Sequence, residues 1–116
     1  MKPLERLDAD GYPTEEFLTW LEEGQRPQAA LNAAKEAWRW SAENILTDAE
    51  AAIIGPLEHG DVPYRFATGG WSGNEDIIRA LQVNFLTFYT WRMSVRGGLH
   101  IFVLPARWRN DKEDDR

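Results

Sequence analysis

The chain has 116 residues with 43% hydrophobic and 28% charged side chains, a net charge of −6 and no cysteine. This length and composition fit one globular domain with a buried core rather than a disordered chain, and the net charge argues against high non-specific affinity for nucleic acid. The lack of cysteine excludes disulfides and thiolate metal sites, no apolar run reaches the roughly 18 residues of a membrane span, and no signal-peptide pattern is visible, so we expect a cytoplasmic protein.

The first predicted helix spans Glu15–Glu23. Thr14 can cap it, because a threonine hydroxyl accepts one of the free N–H groups of the first turn. Two glutamates in that turn favour the positive end of the helix dipole. Gly24 is typical of a helix end, so the sequence predicts a short helix bounded on both sides.

Two further helices are predicted before the first strand. The second is rich in alanine and covers Gln28–Trp40, with Pro27 at its first turn, where proline is tolerated. The third begins with a Thr-x-x-Glu capping box at residues 47–50. It ends before Gly55, since the Gly-Pro pair that follows breaks a helix.

A strand, a glycine-rich turn and a short helix come next. Tyr64–Thr68 reads as the strand, and Thr-Gly-Gly-Trp-Ser-Gly-Asn-Glu at residues 68–75 reads as the turn. A second capping box, Ser72 to Glu75, is predicted to start a helix that ends at Asn84.

Residues 85–104 are predicted to form a β-hairpin around Gly97 and Gly98. A two-residue Gly-Gly turn pairs Arg96 with Leu99 and Met93 with Phe102, whereas a three-residue loop shifts that register. Both faces of the hairpin are apolar, so we expect it to be covered on more than one side. The fold class is therefore α+β, with N-terminal helices packed on a small antiparallel sheet. We predict a single domain over residues 1–109 and a polar, mobile tail over 110–116.

Charge is distributed unevenly along the chain. Residues 1–63 contain 5 basic and 13 acidic side chains, a balance of −8, whereas residues 64–109 contain 6 arginines and 2 acidic side chains, a balance of +4. This asymmetry fits either a cationic surface for an anionic partner or two halves that attract each other within one fold.

The glycine-rich turn is the most specific local feature. Three glycines in five positions, 69 to 73, indicate unusual backbone angles or close approach of another group. The helix start after the turn could bind an anion through its N–H groups, with hydrogen bonds from Ser72 and Asn74. However, the P-loop and dinucleotide fingerprints are absent, and the carboxylates of Glu75 and Asp76 would repel a phosphate. The alternative is a tight turn whose own cap uses these donors.

Two chemical alternatives stay open. His100 and Glu75 could act as an acid–base pair if the fold brings them together, although a lone strand histidine is often structural. The two histidines have no third ligand at a known spacing, so no metal site is predicted. Nucleic acid could instead bind through phosphate contacts and stacking by the arginines and tryptophans of the C-terminal part, Trp91, Arg92, Arg96, Arg107, Trp108 and Arg109.

Three segments resemble a group of small bacteriophage and prophage proteins without an assigned function. They are residues 11–16, the Thr-Gly-Gly-Trp-Ser-Gly-Asn-Glu turn with the helix start after it, and Trp91 with the hairpin segment 96–102. In that group two glycines directly precede the histidine, whereas Leu99 stands between them here. The resemblance implies a phage context and a shared site at the turn and hairpin, but no activity.

Our first hypothesis is therefore a non-catalytic binding module of phage type, which acts on a host protein, for example in host defence, or on an anionic small molecule. It needs no cofactor and no membrane. The expected binding residues are those of the turn and of the facing hairpin, namely Gly69, Gly70, Trp71, Ser72, Asn74, Glu75, Trp91, Arg96 and His100.

Overall fold

A computed structural model describes residues 5–40 and 42–109, so the predicted tail over 110–116 lies outside the described residues. Within them the chain forms helices and strands in the order α1 (Glu15–Glu23), α2 (Pro27–Ala37), α3 (Asp48–Ile54), β1 (Val62–Ala67), α4 (Ser72–Val83), α5 (Phe85–Thr90), β2 (Trp91–Val95), β3 (Leu99–Leu104) and a 3₁₀ turn (Ala106–Trp108). The strands form one antiparallel sheet in the order β1-β3-β2. The predicted α+β class is confirmed.

The local capping signals place the N-terminal helices correctly. Thr14 Oγ1 accepts a hydrogen bond of 3.1 Å from the Phe17 N–H at the start of α1, and Thr47 and Glu50 form the reciprocal capping box of α3. Helix α2 ends at Ala37, three residues before the predicted end. The chain leaves the helix there because the Trp38 side chain turns inward and its Nε1–H donates to the Ala67 carbonyl at 3.0 Å.

The main core lies between one face of the sheet and helices α1, α2 and α4. Its largest fully buried side chains include Phe17, Leu31, Phe66, Ile77 and Phe102. The aromatic rings of Phe66 and Phe102 meet edge-on at 5.8 Å between centroids. Burial of such rings supplies much of the hydrophobic stabilisation of a small domain, and it fixes β1 and β3 beneath the helices.

The opposite face of the sheet is covered as well. Ile101 and Val103 of β3 are fully buried outside the main core cluster, and Arg65 lies opposite Ile101 in the neighbouring strand. The Arg65 Nε contacts both carboxylate oxygens of Glu50 in α3 at 2.9 Å. This ion pair connects α3 to the sheet. Strand β3 of the hairpin is therefore buried on both faces, whereas β2 has no fully buried residue, so the expected cover on more than one side extends to β3 and not to the whole hairpin.

The Glu50–Arg65 pair makes stability depend on pH. The Arg65 hydrogen bond holds the pKa of Glu50 below its ordinary value of 4.5, so the pair stabilises the fold above that value and the stabilisation is lost as pH falls through the lower folded-state pKa. We expect Glu50→Gln to unfold more easily at pH 7 by roughly 1–3 kcal/mol and to lose less stability than wild type on acidification. Urea unfolding from pH 7 to pH 3 measures both. The control is Glu43→Gln, because Glu43 contacts Arg65 at a longer 3.5 Å and is largely exposed; an equal effect of the two variants would contradict this assignment.

The predicted strand over residues 85–90 is wrong, because these residues form helix α5. Asn84 Oδ1 caps the helix by accepting from the Leu86 and Thr87 N–H groups. The aromatic side chains of this helix point outward, and Phe85 is 72% exposed. The outer side of α5 is therefore a surface rich in aromatic side chains.

The predicted two-residue hairpin turn is also wrong. Val95 pairs with Leu99 and Ser94 with His100, so the loop contains the three residues 96–98. The register shifts between Trp91 and Met93, which places Met93 opposite Ile101 rather than Phe102. The shifted register turns Met93 away from the main core and joins Ser94 to His100.

Candidate functional site

The two glycine pairs of the sequence meet at one end of the sheet. Gly69 and Gly70 have φ values of 63° and 76°, and Gly97 and Gly98 have φ values of 100° and 97°, a region that side chains rarely adopt. The Thr68 N–H donates to the Gly98 carbonyl at 2.9 Å. The hairpin loop therefore lies directly against the glycine-rich turn.

The start of helix α4 differs from the predicted capping box. Trp71 occupies the N-cap position and no side chain caps the helix, so Ser72 is the first helical residue and is exposed. The Trp71 N–H donates to the Thr68 carbonyl at 3.1 Å and the Gly70 N–H donates to Thr68 Oγ1 at 3.3 Å, so Thr68 closes the turn in place of a capping box. The interpretation in which the Ser72 and Glu75 side chains occupy the helix donors is wrong.

Asn74 is fully buried beneath the turn. Its Oδ1 accepts from the Arg39 N–H at 3.0 Å, and its Nδ2 donates to the carbonyls of Arg39 and Thr68 at 3.2 and 3.3 Å. The amide is therefore used up within the protein. Asn74 positions the segment after α2 against the turn and does not offer its side chain to a ligand.

That segment builds an aromatic surface with Trp71. Two rings lie close to the Trp71 ring: the centroid of the Trp40 ring is 6.5 Å from that of Trp71, and the centroid of the Tyr12 ring is 4.8 Å from that of Trp71. The Arg39 guanidinium lies over both indoles, 4.7 Å from the Trp71 centroid and 5.5 Å from that of Trp40, a cation–π arrangement. We call Tyr12, Arg39, Trp40 and Trp71 the indole patch.

Two of the glycines are required by the indole patch. A Cβ on Gly69 would approach the Trp40 ring to 2.6 Å, and a Cβ on Gly73 would approach the Trp71 ring to 2.3 Å. The indoles therefore lie directly on bare backbone. By contrast, a Cβ on Gly70 meets nothing within 4 Å, so that glycine serves the backbone angle alone.

Three of the four patch residues, Tyr12, Arg39 and Trp40, were not predicted as binding residues. Tyr12 lies in the segment 11–16 that carries the resemblance to phage proteins, and Arg39 and Trp40 were predicted to lie at the end of the second helix. An extended chain would place Trp38 and Trp40 on the same side. Instead Trp38 is buried and Trp40 is exposed, because the Trp40 backbone adopts a positive φ of 70°, and no local sequence signal predicts that turn of the chain.

The hairpin residues form a separate polar chain. Trp91 Nε1–H donates to Ser94 Oγ at 2.8 Å, and Ser94 Oγ lies 2.7 Å from His100 Nδ1. Burial lowers the pKa of His100, and the nearby Glu75 carboxylate opposes this shift. Neutral His100 with its own proton on Nε2 can thus accept a hydrogen bond at Nδ1 from the Ser94 hydroxyl. Glu75 and His100 lie close enough to interact electrostatically, but no hydrogen bond between them is found among the described residues.

The arginines of the C-terminal part do not gather on one surface. Arg92 and Arg107 line a cleft of about 400 Å³ that also contains Glu58 and Asp61, and these carboxylates would repel a nucleic-acid phosphate. Arg96 is exposed in the hairpin loop at the other end of β2. Arg92, Arg96 and Arg107 therefore do not form one continuous cationic surface along which a phosphate backbone could bind.

Among residues 5–40 and 42–109, no cluster of three or more His, Asp or Glu side chains could hold a metal ion. No helix in the same part of the chain has the length and apolar character to cross a membrane. Comparison with known protein families, curated proteins and solved structures finds no match to this chain.

Proposed function

We propose that the protein is a non-catalytic binding module whose indole patch binds a segment of a partner protein. One observation carries this proposal: Trp40 is 63% exposed although its backbone adopts φ 70°. Positive φ is costly for a bulky residue, on the order of 1–3 kcal/mol. An exposed tryptophan recovers little of that cost by burial in the free protein, whereas a partner that covers the ring would recover it.

The composition of the indole patch supports protein recognition. Tryptophan, tyrosine and arginine dominate the binding energy of protein interfaces. All three residue types contact one another in the indole patch. The patch is also held rigid, because Asn74 fixes the Arg39 backbone on both sides of its α-carbon. A preorganised surface loses less conformational entropy when it binds.

The surroundings of the patch suggest the chemistry of the partner. Arg39 presents a cation between two aromatic rings, which favours a partner segment that combines a carboxylate with an apolar side chain. The resemblance to phage proteins makes a protein of the bacterial host the partner that we propose. Binding of this kind requires no cofactor and no chemical step.

Gly73→Ala separates binding from stability and is the experiment that tests the proposal. The new methyl group must displace the Trp71 ring, while alanine in a helix is more stable than glycine by roughly 1 kcal/mol. Displacement of the ring costs stability and the helix propensity of alanine offsets part of that cost, so we expect a net loss of no more than about 2 kcal/mol, an altered tryptophan emission spectrum and at least a tenfold loss of affinity for the partner. Affinity purification from a bacterial lysate identifies the partner, and calorimetry with the purified partner measures its affinity.

The matched controls distinguish the patch from general surface stickiness. Trp40→Ala should lose the partner as Gly73→Ala does, whereas Phe85→Ser removes an equally exposed aromatic ring from α5 and should retain it. If Trp40→Ala and Gly73→Ala stay folded and bind the partner as wild type does, the indole patch is not the binding surface.

A further inference from the structure

A cleft of about 730 Å³ lies between the end of α1 and the outer side of α2 and shares no residue with the indole patch. Its size falls in the range of small-molecule sites, about 300–1,000 Å³. It is lined by Trp20, by charged side chains and by small side chains of α2, Ala29, Ala30 and Ala33, which we call the alanine floor. None of these residues was singled out by a sequence motif.

The apolar part of the cleft suits a flat ring. Trp20 stacks on the buried Phe17 ring at 6.1 Å and 16° between planes, which fixes the orientation of the indole. It nevertheless stays 39% exposed. The alanine methyl groups of α2 leave room opposite this ring. A planar molecule could therefore lie along the alanine floor beside the Trp20 indole, and stacking on that ring would stabilise the complex.

The charged part of the cleft suits an anion. Arg6, Arg26 and Lys35 line it together with a single carboxylate, Glu36, which is ion-paired with Arg6. The first 63 residues carry 13 acidic and only 5 basic side chains, yet three of those five basic side chains lie here. Lys35 Nζ is hydrogen-bonded to the neutral Asn44, which leaves its charge in place. A net positive cleft within an acidic region concentrates small anions.

We propose that this cleft binds a small organic anion in which a phosphate or carboxylate is attached to a flat ring. The ring lies against Trp20 and the alanine floor, and the anionic group lies beside Lys35, whose hydrogen-bond partner is the neutral Asn44. The volume admits a molecule of about nucleotide size. The proposal is independent of the indole patch, because the two sites share no residue.

The test uses the full chain and two probes, adenosine 5′-monophosphate and indole-3-carboxylate, titrated in a calorimeter at low salt. We expect dissociation constants on the order of 10–100 μM for at least one probe. Phosphate-only and carboxylate-only binding would each support the site and identify its anion. If neither probe binds, the proposal is overturned.

Variants then locate the binding. Ala29→Phe fills the cleft and should weaken binding at least tenfold, whereas Ala52→Phe makes the same change on the exposed side of α3 and should leave it unchanged. Lys35→Gln should weaken binding several-fold, and Arg79→Gln, an exposed cation outside the cleft, should not. Because glutamine keeps a side-chain N–H donor at position 35 and adds no volume, Lys35→Gln keeps the test valid if Ala29→Phe fails to fold. Equal losses in test and control variants, or no loss in either test variant, would overturn the proposal.

Discussion

Gly98→Ala is expected to destabilise the protein by about 3–4 kcal/mol, whereas Gly97→Ala is expected to cost about 1–2 kcal/mol. Both glycines have φ close to +100°, so both variants carry the same backbone strain. Only at Gly98 does the added Cβ meet another group, the Thr68 Oγ1 at 2.2 Å, while nothing lies within 4 Å at Gly97. Equilibrium unfolding in urea measures the difference, and equal effects at the two positions would contradict the close packing of the hairpin loop on the turn.

A double variant identifies the contact itself. Thr68→Ala removes the Oγ1 and leaves its Cβ at an ordinary 3.4 Å from the added methyl, so Gly98→Ala should cost less in the Thr68→Ala background by about 1–2 kcal/mol. Additive effects would mean that the loop adapts without touching Thr68. The cycle therefore tests the packing of the Thr68 side chain on Gly98 separately from the backbone hydrogen bond between the same two residues.

Local signals predicted most of the helices and strands, although the predicted Ser72–Glu75 capping box does not form. The Thr14 hydroxyl, the Thr47–Glu50 capping box and the glycine pairs each act within a few residues, and the elements that they bound were predicted. The α+β class follows from the same signals. The glycine-rich turn was also recognised as unusual, although the reason for Gly69 and Gly73, the two indoles above them, was not.

The features that local patterns did not predict are determined by contacts between residues that lie far apart in the sequence. Residues 85–90 have the aromatic and threonine content of a strand, yet the buried Asn84 amide caps them as a helix and donates to the Leu21 and Gly24 carbonyls, about sixty residues away in the chain. The hairpin register depends on Thr68 against Gly98. The indole patch depends on Asn74, which reaches Arg39 over 35 positions. No local pattern encodes these three pairings.

Asn74→Ala is expected to cost roughly 2–4 kcal/mol, because it removes three hydrogen bonds of a fully buried side chain, two of which hold the N–H and the carbonyl of Arg39. It should also release the Trp40 backbone from its positive φ, and thereby disorder the indole patch in the fraction that stays folded. Urea unfolding measures the first effect. Tryptophan emission and acrylamide quenching of the native state measure the second, since a released Trp40 becomes more accessible.

The matched control is Asn84→Ala, which also removes a buried asparagine amide with bonds to four backbone groups. It should cost a similar amount of stability but leave Trp40 quenching and partner affinity unchanged below the unfolding transition, because Asn84 ties α1 to α5 and not α2 to the turn. If both variants change the indole patch equally, the patch responds to overall stability, and Asn74 has no special role in positioning it.

Asn74→Asp gives the same position a pH-dependent signature. The aspartate keeps an acceptor for the Arg39 N–H but faces the carbonyls of Arg39 and Thr68 with a carboxylate in place of an N–H donor. Burial and these carbonyls favour the neutral acid and raise its folded-state pKa above that of an unfolded aspartate, near 3.9. The variant should therefore be least stable relative to wild type at neutral pH and should recover part of the loss as pH falls through the raised folded-state pKa, where a protonated carboxyl can donate to one carbonyl again. A stability deficit that stays constant between pH 4 and pH 7 would contradict the buried amide contacts on which the indole patch depends.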